Sequence, residues 1–379
     1  MLKIFSAEFL FILYTFSFVL LKPVFYYIHI NTTLVLILTG LAILSLYLLK
    51  NHSMKISRLL DWSVICATFL SIWGIQKILN PNYLMNEYLI NFVIYAVIPL
   101  FLLIGVNDFK KILLYVFRIS IFVGLILWSD PLFGYRFTSD YMQYGFNMFM
   151  FSYAGLFIGT FYFHKKIMWL PIIFELICIA FWGNKGAFIS AATLLLLVLI
   201  NMIGSKLMKF VASICAIIGI FFYEKILLGV IEFAEHFNIK SYSISTFKIM
   251  LSSNSDVVYD ARLNIWKEAF KYIKQNPIFG SGIATFEEIT GQYAHNIFID
   301  ILLTFGLFGL TVFSIFIIYS LTIVPKSQNT EVKIFQIGCF ICWFVAMQFS
   351  LTFWNVILFW IYWGVNFYGF LNEKDGLYE

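Results

Sequence analysis

Charged residues are scarce in this sequence. Of its 379 residues only 12% are charged, while 61% are hydrophobic. A soluble globular domain is about a quarter charged and about half apolar, so the composition excludes that class and predicts lipid surroundings. Backbone groups in lipid must pair within helices or within a closed barrel. Runs such as 34–44 do not alternate at every second residue as barrel strands do. The sequence therefore predicts an all-α, polytopic integral membrane protein.

Metal-binding and nucleotide-binding motifs are missing as well. The five cysteines lie in apolar runs, and Cys339-x-x-Cys342 lacks the other two ligands of a zinc site. The acidic residues expected outside show no metal-ligand spacing. No Walker loop, dinucleotide fingerprint, nucleophile elbow or Asp-x-Asp pair occurs in the chain. We interpret the cysteines as small core residues and expect neither a metal nor a cofactor.

Long apolar runs take the place of these motifs. A membrane-spanning helix needs about twenty apolar residues, and the sequence has about twelve runs of roughly that length. They lie near 4–21, 32–49, 62–79, 89–106, 112–128, 145–163, 167–182, 187–203, 207–222, 295–318, 334–350 and 354–371. No internal repeat is evident, so we treat residues 1–379 as a single membrane domain.

The distribution of lysine and arginine predicts the orientation. If the N-terminus is cytoplasmic, the inside segments carry thirteen basic residues and the short outside loops only four: Lys22, Lys77, Arg136 and Lys185. Basic residues favour the cytoplasmic side. We therefore expect both termini in the cytoplasm and the long loop 223–294 outside.

That large loop contains a predicted amphipathic helix. Leu263, Trp266, Phe270 and Ile273 recur at helical spacing, Asp260 can cap the start, and Asn276-Pro277 ends the segment. Such a helix is typical of a membrane surface. The first half of the loop, around 241–246 and 251–256, is polar and expected to be irregular.

Two candidates for chemistry lie in or beside this loop. His295 begins the apolar run 295–318, where free N–H groups and the helix dipole favour a neutral imidazole that can act as a general base. Asn296 can orient it or bind a hydroxyl. Arg262 leads the amphipathic helix, and its guanidinium suits phosphate oxygens. The alternatives are a histidine that anchors a helix end and a solvated surface arginine.

Further candidates are basic residues and glycines. Lys185 lies in a tight outside hairpin, where a lone cation runs against the basic-residue bias, and Arg136 lies in the outside loop 129–144. Each can instead be a lysine or arginine reaching for the headgroups. Gly280-Ser-Gly282 can form a backbone nest for an anion or a plain turn. Gly306 and Gly309 suit close helix packing.

These motifs together resemble the O-antigen ligase and Wzy-type polymerase family. The signature is His295-Asn296, nine residues, then Gly306-x-x-Gly309-Leu310. It is preceded by an Arg262-to-Trp266 helix, a Pro277-x-x-Gly280-x-Gly282 turn and a basic hairpin. Here that hairpin reads Asn184-Lys185-Gly186, with Asn for the family's Ser and Lys in place of Arg.

The resemblance implies metal-independent, inverting glycosyl transfer at the periplasmic face of the bacterial inner membrane. His295 would deprotonate the acceptor hydroxyl. Arg262, Lys185 and Arg136 would bind the diphosphate of an undecaprenyl-diphosphate-linked oligosaccharide, and Asn296, Trp266, Gly280 and Gly282 would support the site. The resemblance also implies membrane lipids and a chain-length regulator protein as partners. It implies no nucleic-acid partner.

The acceptor remains open at this point. We favour polymerisation of repeat units into O-antigen or capsular polysaccharide. A ligase would instead transfer the glycan to lipid A–core, and the signature does not separate the two. A transporter or flippase of the lipid-linked glycan is an alternative of a different class. It would carry polar residues along a path through the membrane, whereas here they concentrate at the predicted outer ends of the runs.

Overall fold

The helical prediction is confirmed in the part of the chain that the structure describes. The structure is a computed structural model and describes residues 5–27, 32–49, 54–79, 81–82, 84–130, 138, 141–202, 223–237, 244–245, 248 and 256–370. Every extended regular element in these ranges is a helix. This follows from the apolar runs, because a helix satisfies its backbone hydrogen bonds locally in lipid.

The described residues form a series of α-helices. In chain order they are α1 (Ala7–Tyr27), α2 (Thr32–Leu49), α3 (Ile56–Leu79), α4 (Leu84–Phe92), α5 (Ile98–Leu103), α6 (Phe109–Ser129), α7 (Tyr141–Met148), α8 (Ala154–Tyr162), α9 (Trp169–Trp182), α10 (Lys185–Met202), α11 (Tyr223–His236), α12 (Asp256–Gln275), α13 (Thr285–Thr290), α14 (Ile297–Ile323), α15 (Thr330–Phe344) and α16 (Ile357–Phe367).

Five of the described helical segments are long and apolar enough to cross a membrane. They are Ile56–Leu79, Leu84–Leu103, Phe109–Ser129, Ile297–Lys326 and Thr330–Gln348. The other apolar helices are shorter: α16 has 11 residues, which is about 16 Å of helix against a hydrocarbon core of about 30 Å. The protein is thus a membrane protein, but the described helices do not establish about twelve spans. The predicted run 207–222 lies outside the described residues, as does Cys215.

Two of the helical rods contain a π turn. The π turn Val93–Val97 joins α4 to α5, and the π turn Phe149–Tyr153 joins α7 to α8. A π turn inserts one extra residue into a helical turn, and such turns are frequent at functional sites. The extra residue rotates the face that each rod presents to its neighbours.

Helix α14 is broken at Gly306. This residue has φ 65° and ψ −161°, which is not helical. The break is filled by the turn that starts at Pro277. The amides of Leu307 and Phe308 donate to the carbonyls of Pro277 (2.8 Å) and Ile278 (3.0 Å), and Ser281 N–H donates to Leu303 O (2.7 Å). Backbone groups that the break would leave unpaired are therefore satisfied by the turn.

This arrangement differs from the packing predicted for the two glycines. Backbone atoms of the turn, at Ile278 and Gly280, approach Gly306, where a neighbouring helix was expected. A Cβ added at Gly309 would meet the Phe305 side chain of its own helix. The helical spacing misled the prediction because it continues through the broken turn.

Candidate active site

His295 lies just before α14, outside the membrane-spanning segment, in a left-handed conformation. Its φ is 55°, which few residues other than glycine adopt, although histidine does so more often than most. The imidazole stacks on Tyr293, with ring centroids 4.0 Å apart. Nδ1 lies 3.4 Å from Ser350 Oγ, which in turn lies 2.8 Å from the Tyr293 hydroxyl. These contacts fix the ring by its Nδ1 side.

Asn296 serves as the N-cap of α14. Its Oδ1 accepts from the amides of Phe298 (3.0 Å) and Ile299 (3.3 Å), and its Nδ2 donates to Gln348 Oε1 (3.3 Å). Capping satisfies two of the free N–H groups at a helix start. The Asn296 side chain therefore holds the helix end that follows His295, rather than touching the imidazole as the sequence suggested.

Helix α12 positions Arg262 over the same end of α14. Trp266 Nε1 donates to Ala294 O (2.9 Å), one residue before His295. Ala269 is fully buried and packs in a small cluster with Leu303. Two details of the predicted amphipathic face differ: the helix begins at Asp256, and Phe270 is 46% exposed. The buried face is rotated toward Ala269, and Arg262, about two turns nearer the start of the helix, is exposed.

The hairpin between α9 and α10 positions Lys185. Asn184 caps α10, since its Oδ1 accepts from Ala187 N–H (2.9 Å), and its Nδ2 donates to Met142 O (2.8 Å). The hairpin sits against α7 at Gly145, where a Cβ would lie 2.6 Å from the Asn184 amide. Asparagine and serine are both good caps. The Asn-for-Ser departure from the family pattern therefore leaves the local structure intact.

Electrostatics link the three predicted residues. Burial, followed by the nearby Arg262 guanidinium, lowers the pKa of His295 to about 4. Burial, followed by the Arg262 charge, lowers the pKa of Lys185 in its hairpin to about 8. The fold thus brings Arg262 within electrostatic reach of both groups. Two nearby cations repel each other, and an anion bound between them would relieve that repulsion.

The lowered pKa of His295 leads to a testable pH dependence. Because the shift is downward, the imidazole stays neutral as pH falls past its ordinary value of about 6.5 and gains a proton only near 4. Diethyl pyrocarbonate modifies neutral imidazole. We expect its reaction with His295, measured by peptide mass spectrometry, to keep its full rate down to about pH 5.

The variant Arg262→Gln tests the cause of that shift. Removal of the cation should raise the pH of half-maximal modification, and burial, the larger cause, should keep it below the ordinary value. A wild-type half-point near that of a histidine in an unstructured peptide would contradict this account of the site.

The turn around Gly280 and Gly282 is structural. Both glycines have positive φ, 74° and 102°. The N–H groups that an anion nest would need at Gly280 and Ser281 donate to Asn276 O and Leu303 O. Of the two alternatives given by the sequence, the anion nest and the plain turn, the structure has the turn, which fills the break in α14 as a plug. Arg136 lies outside the described residues.

The close approach at Gly306 predicts a localised defect. In Gly306→Ala, a Cβ would collide with the Ile278 carbonyl and Gly280 N while φ is positive. Strain of this kind costs about 1–3 kcal/mol. We expect a lower thermal unfolding temperature in detergent and reduced activity.

Two control variants separate the causes. Gly291 has a similar φ of 69° but the ordinary left-handed ψ of 10°, with nothing within 4 Å, and Gly74 lies on α3 in open space. Gly291→Ala should report the cost of an alanine in the left-handed region without a steric clash, and Gly74→Ala neither effect. If Gly306→Ala unfolds at the same temperature as Gly291→Ala, the turn does not press on the break.

Sequence reasoning missed Tyr293, Ser350, one buried carboxyl group and one half-buried carboxyl group. Asp300 is 3% exposed on α14, and it interacts electrostatically with Glu287 on α13. Burial raises the pKa of Glu287, with the nearby Tyr88 hydroxyl acting in the opposite direction. No local pattern marks these residues, because their partners are distant in the sequence.

Comparison with known proteins gives a match to one family model. Residues 168–314, a little over a third of the chain, match the family model Wzy_C, described as O-antigen ligase. The matched segment contains Lys185, Arg262, His295 and the break at Gly306. No curated protein matches the chain. The resemblance predicted from the sequence is thereby confirmed.

Proposed function

We propose that the protein transfers a glycan from undecaprenyl diphosphate to a sugar hydroxyl and so polymerises lipid-linked repeat units into O-antigen or capsular polysaccharide. The observation that carries this proposal is the convergence of Lys185, Arg262 and His295. The Arg262 charge lowers the pKa of both other groups. A neutral base beside two cationic groups suits a reaction in which a hydroxyl is deprotonated and a diphosphate departs.

In the proposed reaction, Nδ1 of His295 carries a proton that faces Ser350 Oγ. Nε2 is then free to accept the proton of the acceptor hydroxyl. The hydroxyl oxygen bonds to the anomeric carbon of the donor as the bond from that carbon to the diphosphate oxygen breaks. A single displacement of this kind inverts the anomeric configuration. Arg262 and Lys185 stabilise the charge that develops on the leaving diphosphate.

Ligation is the second candidate, because the matched family model is described as O-antigen ligase. Both reactions use the same donor and differ only in the acceptor. A transport path is less suited to the observed arrangement, since the three polar residues gather around the first residues of α10 and α14.

The purified protein in lipid nanodiscs provides the test. With a lipid-linked repeat unit alone, a polymerase yields a ladder of longer glycans and free undecaprenyl diphosphate. A ligase yields product only when lipid A–core is added. If neither product forms with a donor that a known enzyme of this kind consumes, the proposal is refuted.

The proposal also predicts the sidedness of the site. Alkaline phosphatase inserted at the exposed turn around Gly291 should be active, because this enzyme matures only outside the cytoplasm. Fusions of β-galactosidase at either terminus should be active in the cytoplasm. The reverse pattern would place His295 on the cytoplasmic side and remove the periplasmic mechanism.

A further inference from the structure

A cavity of about 330 Å³ lies beside the candidate site. Its volume falls at the lower end of the range for small-molecule pockets, which is about 300–1,000 Å³. Met142 and Leu351 line one wall. Ser350, which precedes Leu351, lies 3.5 Å from Met142 Sδ and 3.4 Å from His295 Nδ1. The wall of the cavity is therefore adjacent to the imidazole.

The lining of the cavity is rich in groups that both donate and accept hydrogen bonds. Four carboxamides and one carboxylate line it: Asn91, Gln143, Asn147, Asn355 and Glu87. Each carboxamide offers two donors and an acceptor. The described lining residues include no lysine or arginine, in contrast to the neighbouring site around Arg262. This chemistry favours hydroxyl groups over phosphate.

Asn147 is the most informative of these residues. This residue is only 8% exposed, and it lines the cavity. A carboxamide that is largely removed from bulk water favours a hydrogen-bonding partner. The cavity thus presents an amide that a polar ligand or solvent can satisfy.

The remaining walls are aromatic and apolar. Tyr95 comes from the first π turn, and Met150 and Phe151 come from the second. Phe146 adds a ring from α7. Both π turns therefore contribute to one cavity, which is lined by aromatic rings and by amides. A sugar has the matching character, with hydroxyls at its edge and C–H groups on its faces.

We propose that this cavity binds an uncharged sugar residue of the glycan substrate. The inference rests on the proposed function and extends it by giving the saccharide a place separate from the diphosphate. The exposed residues Glu87 and Asn355 form the mouth of the cavity. The more deeply buried Asn147 forms a hydrogen bond with a sugar hydroxyl. A lipid tail would leave the amides unsatisfied, and a diphosphate would meet no cation among the described residues of this lining.

The test compares two probes on the full-length protein in nanodiscs. One is undecaprenyl diphosphate without sugar, and the other is the lipid-linked oligosaccharide of the producing strain. The variant Asn147→Leu keeps the side-chain volume and removes the amide. We expect it to weaken binding of the oligosaccharide lipid about tenfold, as loss of one hydrogen bond to a buried group would, and to leave binding of the sugar-free lipid unchanged.

Two further variants separate this proposal from the proposed function. Arg262→Ala should weaken binding of both lipids, because both carry the diphosphate. Asn86→Leu, on α4 but not lining the cavity, should change neither. If Asn147→Leu binds both lipids like wild type while Arg262→Ala binds neither, the sugar site is wrong and the donor site stands. If Arg262→Ala also binds like wild type, the proposed function fails.

The double variant Glu87→Gln/Asn355→Ala serves as a second measurement at the exposed mouth, should Asn147→Leu not purify as a single species. It should weaken binding of the oligosaccharide lipid and leave binding of the sugar-free lipid unchanged. Unchanged binding of the oligosaccharide lipid would overturn the proposal.

Free repeat-unit oligosaccharide distinguishes the two sources of the sugar in saturation-transfer NMR. A sugar of the acceptor binds without the diphosphate, so its signal should survive Arg262→Ala and be lost in Asn147→Leu. For a sugar of the donor, wild type gives no signal with the free oligosaccharide, and Asn147→Leu affects only the lipid-linked form.

Discussion

His295→Ala should lower glycosyl transfer by about 10²–10⁴-fold, the usual contribution of a general base, while the protein stays in the membrane at its normal level. The loss is expected because no other described group is positioned in the same way. The imidazole is held on its Nδ1 side by Ser350 and Tyr293, which leaves Nε2 to face the acceptor. The measurement is ladder formation in a strain that lacks the native gene, with expression matched by immunoblot.

His236→Ala is the matched control, since His236 is exposed at the end of α11. It should retain full activity. The activity of Ser350→Ala should lie between the activities of His295→Ala and His236→Ala, because this change frees the imidazole ring without removing the base. Wild-type activity in His295→Ala would return this residue to the role of anchoring a helix end.

Arg262→Ala should lower activity by about 10²–10³-fold, as expected for loss of one group that stabilises charge in the transition state. Arg262→Lys should lose most of the activity too, because lysine offers a point charge and no parallel pair of donors. Lys267→Ala, an exposed lysine on the same helix, is the control and should be active. A fully active Arg262→Lys would refute bidentate binding, and a fully active Arg262→Ala would reduce α12 to a scaffold.

At Lys185, unlike at Arg262, exchange between lysine and arginine should be tolerated. The position already uses a point charge, so Lys185→Arg should keep substantial activity and Lys185→Ala should not. The pKa of Lys185 is lowered to about 8, so its charge is lost as pH rises through that value. Donor binding by wild type should weaken above pH 8. Lys185→Arg, which stays charged, should remove that alkaline decline.

The apolar runs of the sequence were sufficient to predict the helices. A composite of short motifs singled out Lys185, Arg262 and His295 as candidates for the site. Lys185, Arg262 and His295 lie on different helices or loops, so only the fold could show that Arg262 acts on both other groups.

The break at Gly306 could not be predicted for a physical reason. The apolar pattern of α14 continues across it, and a glycine in a membrane helix ordinarily indicates close packing. The bonds that make the break stable come from a turn more than twenty residues earlier. The cavity was missed for the same reason, because Asn91, Asn147 and Asn355 belong to three separate segments that each look unremarkable alone.

The plug in α14 has a consequence for exchanging parts between related enzymes. The broken helix forms hydrogen bonds with Pro277, Ile278 and Ser281 of the turn. The loop and the first half of α14 are therefore one structural unit, and they must be exchanged together. A chimera that takes the loop from a relative should work only if it also takes the helix through Phe308. A junction placed between the turn and the helix, for instance at Gly291, would combine a turn from one protein with a broken helix from another, and their hydrogen bonds would not match. The boundary suited to recombination lies beyond the break, within the membrane.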